Sequence, residues 1–181
     1  MIDFLENKSL LLDTNVLAYM SQESYFKSMT VFLNRLESLQ VNLTINAYIK
    51  AEFLRGANSQ NSKKVKEELL NGLTNLTQLP PERQNLIDEA CHLSSVYYSK
   101  CKNHSGKISL VDSVIWAEAK HYRDSGLYIA SCDMNDFPTI LFDCKELVLL
   151  EQEKTGEQIV IGIYQFSEEK FLLLEKDYLK S

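Results

Sequence analysis

The chain has 181 residues, 45% of them hydrophobic, and a formal net charge of -6. That is enough apolar content for one domain with a real core, and too acidic a balance for a protein that holds nucleic acid by bulk electrostatics alone. Four cysteines, Cys91, Cys101, Cys132 and Cys144, form no C-x-x-C pair and stand beside no paired histidines, so their spacing suggests neither a zinc motif nor a disulfide framework.

The opening stretch, MIDFLENKSLLLDTN, carries acids where a secretory leader carries bases, and its apolar run is too short for a leader or a membrane span. The expected location is the cytoplasm. Within it, KSLLLD is a continuous apolar run bounded by polar residues, the pattern of a strand buried on both faces of a parallel sheet. Helical spacing follows in VLAYM and in YFKSMTVFLNRLESL, where Phe26, Val31, Phe32, Leu33, Leu36 and Leu39 are expected to share one face. VNLTI alternates Val41, Leu43 and Ile45 as a short strand. Asn46 is placed to cap the helix AYIKAEFLR, and Gly56 to end it in a left-handed turn.

From Ser59 to Lys107 the pattern predicts two or three helices with a break at Pro80 and Pro81, and Ile87, Ala90, Leu93, Val96 and Tyr97 facing inward. SLVDSVIWAEAKHYRDSG reads as a helix running from a capping Ser109 to Gly126, and LYIAS as the strand after it. In the tail, ELVLLEQEKTGEQIVIGIY predicts two strands around a turn at Thr155 and Gly156. A last helix is expected with Ser167 as its cap and Phe166 stapled to Phe171. Strands alternating with helices imply right-handed crossovers, so the expected fold is a three-layer α/β/α arrangement with a mainly parallel central sheet.

Parallel sheets present functional groups beyond the carboxyl ends of their strands. Asp13 stands where SLLL ends, and Asp133 and Asp136 stand just past LYIAS. Glu52 lies near the end of one predicted helix and Asp112 in the first turn of another. Each has an ordinary explanation: Asp13, Asp133 and Asp136 as turn formers, Glu52 as a solvated helix residue, Asp112 as the acid of a capping box with Ser109. Delivered to one rim, however, such carboxylates repel one another unless a cation lies between them, and hard oxygen ligands favour Mg2+ or Mn2+.

Taken together and in order, LLLDTNVL, AEFLRG, ISLVDSVIWAEA and LYIASCDMNDFP resemble the PIN-domain nucleases, most closely the VapC-type toxins of bacterial toxin-antitoxin pairs. The likeness spans roughly residues 8 to 145. It implies a PIN-like domain over residues 1–145 and sets apart residues 146–181 as a hairpin-and-helix extension packed on the same domain. It places the first acid at Asp13 in its D-T-N setting, the second at Glu52, the third at Asp112, and the last at Asp133 or Asp136, between which the sequence does not choose. The implied activity is Mg2+- or Mn2+-dependent cleavage of RNA by a metal-activated water, with Asp13, Asp112, Asp133 and Asp136 as candidate ligands. Glu52 would complete the cluster, and Asn15 and Ser131 are hydrogen-bonding supports.

A polyanion also needs positive charge nearby. Lys50 and Arg55 flank Glu52, and Lys100, Lys102 and Lys107 precede the Asp112 helix; a solvated lysine face is the plain alternative. His104 and Tyr19 are weaker RNA contacts, and Trp116 suits the core or a dimer interface. The expected partners are an RNA substrate, a small antitoxin seated in an apolar groove near Tyr19, Phe26 and Phe53, and a second copy in a homodimer. A haloacid-dehalogenase-type phosphatase needs an Asp where this chain has Asn15. A non-toxin nuclease of RNA processing or decay shares every motif, and a catalytically silent PIN binding module remains the alternative from another class.

Overall fold

The computed structural model describes residues 2–73, 77–80, 84–101 and 108–180, without the side chain of Gln84. The protein is α/β. In chain order its elements are β1 (Ser9–Leu12), α1 (Thr14–Met20), α2 (Phe26–Ser38), β2 (Asn42–Ile45), α3 (Ala47–Arg55), α4 (Gln60–Gly72) and β3 (Thr77–Gln78). There follow α5 (Gln84–Lys100), α6 (Leu110–His121), β4 (Leu127–Ser131), β5 (Phe142–Glu151), β6 (Gln158–Phe166) and α7 (Glu168–Tyr178). Among the described residues no helix is long and apolar enough to cross a membrane.

The six strands form one sheet in the order β3-β2-β1-β4-β6-β5. β1 pairs in parallel with β2 and β4, and β2 with β3, whereas β6 runs antiparallel to both β4 and β5. The sheet is therefore mixed, parallel in its first part and antiparallel where the tail hairpin joins it. Leu10, Leu11 and Leu12 are successive residues of one strand and point to alternate faces, yet all three are fully buried. Both faces of the sheet are thus covered at its centre, which is why the run SLLL lacks polar alternation.

Several expectations from the sequence need correction. The tail is part of the central sheet: β5 starts at Phe142, so a division between residues 145 and 146 falls inside a strand, and Ala130 of β4 faces Ile163 of β6 in the ladder. Gly162 permits this packing, because a Cβ there would collide with the ring of Tyr164, itself stacked on Phe137 with centroids 5.0 Å apart. Gly56 is not left-handed, having φ -68°. The end of α3 is closed instead by Lys66, whose ammonium donates to the Phe53 carbonyl at 2.6 Å and lies over the Phe53 ring. Helix α6 ends at His121, and a 3₁₀ turn over Arg123–Ser125 leads to Gly126, where φ is 79°. On α2 the buried face is Met29, Phe32 and Leu36, while Phe26 and Val31 are exposed, because Val31 lies off that stripe and Phe26 opens the helix beyond the core's edge. Ser167 makes no side-chain cap bond, although Phe166 and Phe171 do pack together.

Candidate active site

The site lies at the carboxyl ends of β1 and β4, where the chain leaves β1 for β2 on one side while β4 lies on the other. Such a switch point opens a crevice in an α/β sheet. Asp13 is the N-cap of α1 and is buried. Its Oδ1 accepts the Thr14 N–H at 2.6 Å, and its Oδ2 accepts from Asn15 Nδ2 at 2.8 Å and from the Ser131 hydroxyl at 2.7 Å. Asn15 also donates to Ser131 Oγ at 3.0 Å and accepts the Cys132 N–H at 2.9 Å. Asn15 and Ser131 thus support the first acid, and they stitch the end of β1 to the end of β4.

Glu52 reaches the same rim from α3. The Thr14 hydroxyl donates to its Oε2 at 2.6 Å, while Arg55 stands 3.9 Å from its Oε1. Helix α3 is set by Asn46, which follows β2: Oδ1 accepts the Ile49 N–H at 2.7 Å, and Nδ2 donates to the buried carboxylate of Glu118 on α6 at 2.8 Å. The helices that carry Glu52 and Asp112 are therefore joined through one buried polar contact.

Asp112 occupies the third position of α6, and the capping box is formed: Asp112 Oδ2 accepts the Ser109 N–H at 2.9 Å and the Ser109 hydroxyl accepts the Asp112 N–H at 3.1 Å. Asp133 shapes the loop after β4, accepting the Asn135 N–H at 2.8 Å, while its own N–H donates to Ser131 Oγ at 3.1 Å. The Trp116 indole donates to the Asp136 carbonyl at 2.7 Å, so the fully buried Trp116 is core, and it anchors the loop that bears Asp136.

The electrostatics draw the five acids together. Burial raises the Asp13 carboxyl above its ordinary value, its hydrogen bonds from Ser131 and Thr14 oppose the rise, and the charges of Asp112 and Glu52 add to it. Asp136 is half-buried and is pushed to about 7, first by burial and then by the carboxylates of Asp112, Asp133, Asp13 and Glu52. Burial next to Asp13 likewise lifts the Cys132 thiol to about 12, so it is protonated and no nucleophile.

Whether this donor set suits a divalent ion follows from its chemistry. Among the described residues no three His, Cys, Asp or Glu side chains stand together closely enough, as oriented, to ligate one ion. Asp112 is turned to its cap and Glu52 to Thr14. Yet the groups are hard oxygen donors, five of them act on one rim, and the repulsion among them is relieved by proton uptake on Asp136 where a cation would relieve it otherwise. The residues fit a hard divalent cation in kind, with side-chain rotation needed to close the cage.

Of the expected basic residues, Lys50 is exposed on α3 and Arg55 lies beside Glu52. Lys100 is turned away, paired with Asp177 of α7 at 2.9 Å. Lys102, His104 and Lys107 lie outside the described residues. Of the residues expected to line a partner groove, Phe53 is buried under Lys66, Tyr19 packs edge-on against Tyr25, and Phe26 projects into solvent. Sequence reading missed Thr14 as the link between Asp13 and Glu52, although it sits inside the D-T-N triplet. It also missed Glu118, whose only signal was an acid on an otherwise apolar stretch of α6.

Compared with known proteins, the chain matches no family model and no curated protein.

Proposed function

We propose that the chain is a PIN-type endoribonuclease that depends on Mg2+ or Mn2+ and serves, in the cytoplasm, as the toxin of a toxin-antitoxin pair. The observation that carries this reading is the convergence on one rim of Asp13, Glu52, Asp112 and the β4-loop acids Asp133 and Asp136, where the charges of the other four together raise the proton affinity of Asp136. Asp13, Asp112 and either Asp133 or Asp136 would hold the ion, and Glu52 would complete the shell. When bound, the ion supplies Lewis-acid activation of water for in-line attack on a phosphodiester and stabilises the leaving oxygen. Water adds across the P–O bond, giving a phosphate end and a hydroxyl end.

The chain's own residues prepare this step. Ser131, Asn15 and the Thr14 N–H hold Asp13 in one orientation, so this acid is preset, while Glu52, bonded to the Thr14 hydroxyl, and Asp112, bonded to its cap, turn to complete the shell. Lys50 and Arg55 stand on the helix of Glu52, where they can meet the RNA backbone as it enters. The small antitoxin would present a basic side chain to the acidic rim.

The completed capping box of Asp112 favours a second reading, a silent binding module in which that acid is only a cap. Inducing the wild-type chain and an Asp13→Asn variant in a bacterial host separates the readings. Arrest and RNA loss with wild type alone support the toxin. RNA cleavage without arrest points to a processing nuclease, and equal growth with intact RNA leaves the binding module.

A further inference from the structure

Tyr164 of β6 is buried, and among the described residues its hydroxyl has no hydrogen-bond partner. A hydroxyl orphaned in a core is costly, and phenylalanine would fill the same place without it. The direction of the side chain gives the hydroxyl a use. The Tyr164 backbone is level with Ile129 of β4, but the ring lies back along β6: a Cβ on Gly162 would strike the hydroxyl, so that oxygen sits over Gly162, which faces Ser131 at the carboxyl end of β4. The hydroxyl therefore reaches toward the acidic rim from within the sheet. The ring also stacks on Phe137, the residue after Asp136, so it underlies the loop that carries both acids. Burial lifts the phenol to about 12, and Cys144, Asp133 and Cys132 add to the rise; Asp133 is the carboxylate among them. Asp133 has an oxygen to offer, because Oδ1 accepts the Asn135 N–H at 2.8 Å while Oδ2 accepts no bond among the described residues. Cys144 is the poorer acceptor, its thiol being turned to the Glu146 carbonyl at 3.6 Å.

We propose that Tyr164 is a positioning residue for Asp133: as Asp133 turns to a divalent ion, the Tyr164 hydroxyl donates to its carboxylate, as Ser131 and Asn15 already do for Asp13. This rests on the cation reading of the rim and takes Asp133 as the loop ligand. It gives the tail hairpin a part in the site, since Tyr164 stands beyond the stretch that carries the PIN resemblance. It also accounts for a buried hydroxyl that is unpaired while Asp133 is turned to its own loop.

Tyr164→Phe removes the hydroxyl and nothing else. In urea unfolding with EDTA the variant should be as stable as wild type or more so, a partnerless hydroxyl having gone, whereas calorimetric titration with Mn2+ should show binding about tenfold weaker. Saturating Mg2+ should shift tyrosine near-ultraviolet absorption to the red in wild type, as a phenol does on donating to a carboxylate, and that component should be missing from the variant. Mn2+ affinity equal in the two proteins overturns this inference alone, and wild type that binds no Mn2+ overturns the cation reading and this inference with it. Should the variant lose both stability and affinity, the spectra decide: a Mg2+-linked tyrosine shift common to both proteins, or absent from both, makes Tyr164 a core group only and overturns the inference.

Discussion

Asp136→Asn puts the electrostatics of the rim to a quantitative test. The carboxyl moves from the ordinary 3.8 to about 7 on folding, which carried in full would be about 4 kcal/mol of strain against the charged form. Because the group is half-buried, solvent screening reduces this to roughly 2 kcal/mol. The sign follows from proton binding. Between about pH 4 and about pH 7 the native protein holds a proton that the unfolded chain has released, so stability falls as pH rises through that window. Asparagine removes the charge, keeps the shape and leaves the backbone carbonyl bonded to Trp116. In urea unfolding with EDTA present, Asp136→Asn should therefore match wild type near pH 4 and be more stable by roughly 2 kcal/mol at pH 8. Where Asp136 is the fourth ligand, Mg2+ should narrow the gap at pH 8: at a hundredfold excess over the dissociation constant a ligand adds about 2.7 kcal/mol, and only wild type should receive it in full. A variant less stable than wild type at pH 8 in EDTA would refute the reasoning, and equal stabilisation of both by Mg2+ would assign the fourth ligand to Asp133.

Asp112→Asn separates cap from ligand: asparagine can still accept the Ser109 N–H, so thermal stability in EDTA should stay within about 0.5 kcal/mol while Mg2+-dependent RNA cleavage disappears. Thr14→Val deletes the hydroxyl that holds Glu52, and should cost about 1 kcal/mol in urea unfolding together with a larger loss in kcat than in KM. Trp116→Phe leaves the Asp136 carbonyl without its donor and should cost about 2 kcal/mol, with weaker Mn2+ binding seen by calorimetry. Lys66→Met frees the Phe53 carbonyl at the end of α3 and should lower stability by about 1 kcal/mol without changing cleavage at temperatures well below unfolding.

What could be read from the sequence were the features fixed locally. The buried strand SLLL, the Asn46 and Ser109 caps, the turn at Gly156 and the Phe166 contact with Phe171 all depend on residues a few positions apart. The strand β3 was invisible because Thr77 and Gln78 carry no apolar alternation, and only pairing with Thr44 and Ile45 makes them a strand. The place of the tail hairpin depends on a ladder between β4 and β6 about thirty residues apart, which no local pattern encodes. In the site, the order of acids along the chain does not carry the contacts that orient them: Thr14 to Glu52 and Asn46 to Glu118 join residues 38 and 72 positions apart. The exposure of Phe26 and Val31 escaped for the same reason: helical spacing gives a stripe, and only the neighbouring strand decides where the stripe ends.

The central claim is that the acidic rim cleaves RNA with a bound divalent ion. Purified wild type and Asp13→Asn should be incubated with total RNA in Mg2+, in Mn2+ and in EDTA, and the products resolved by length. Discrete fragments with wild type in either metal, none in EDTA and none with Asp13→Asn are the expected result. Intact RNA with wild type in both metals, or equal cleavage by the variant, would contradict the account.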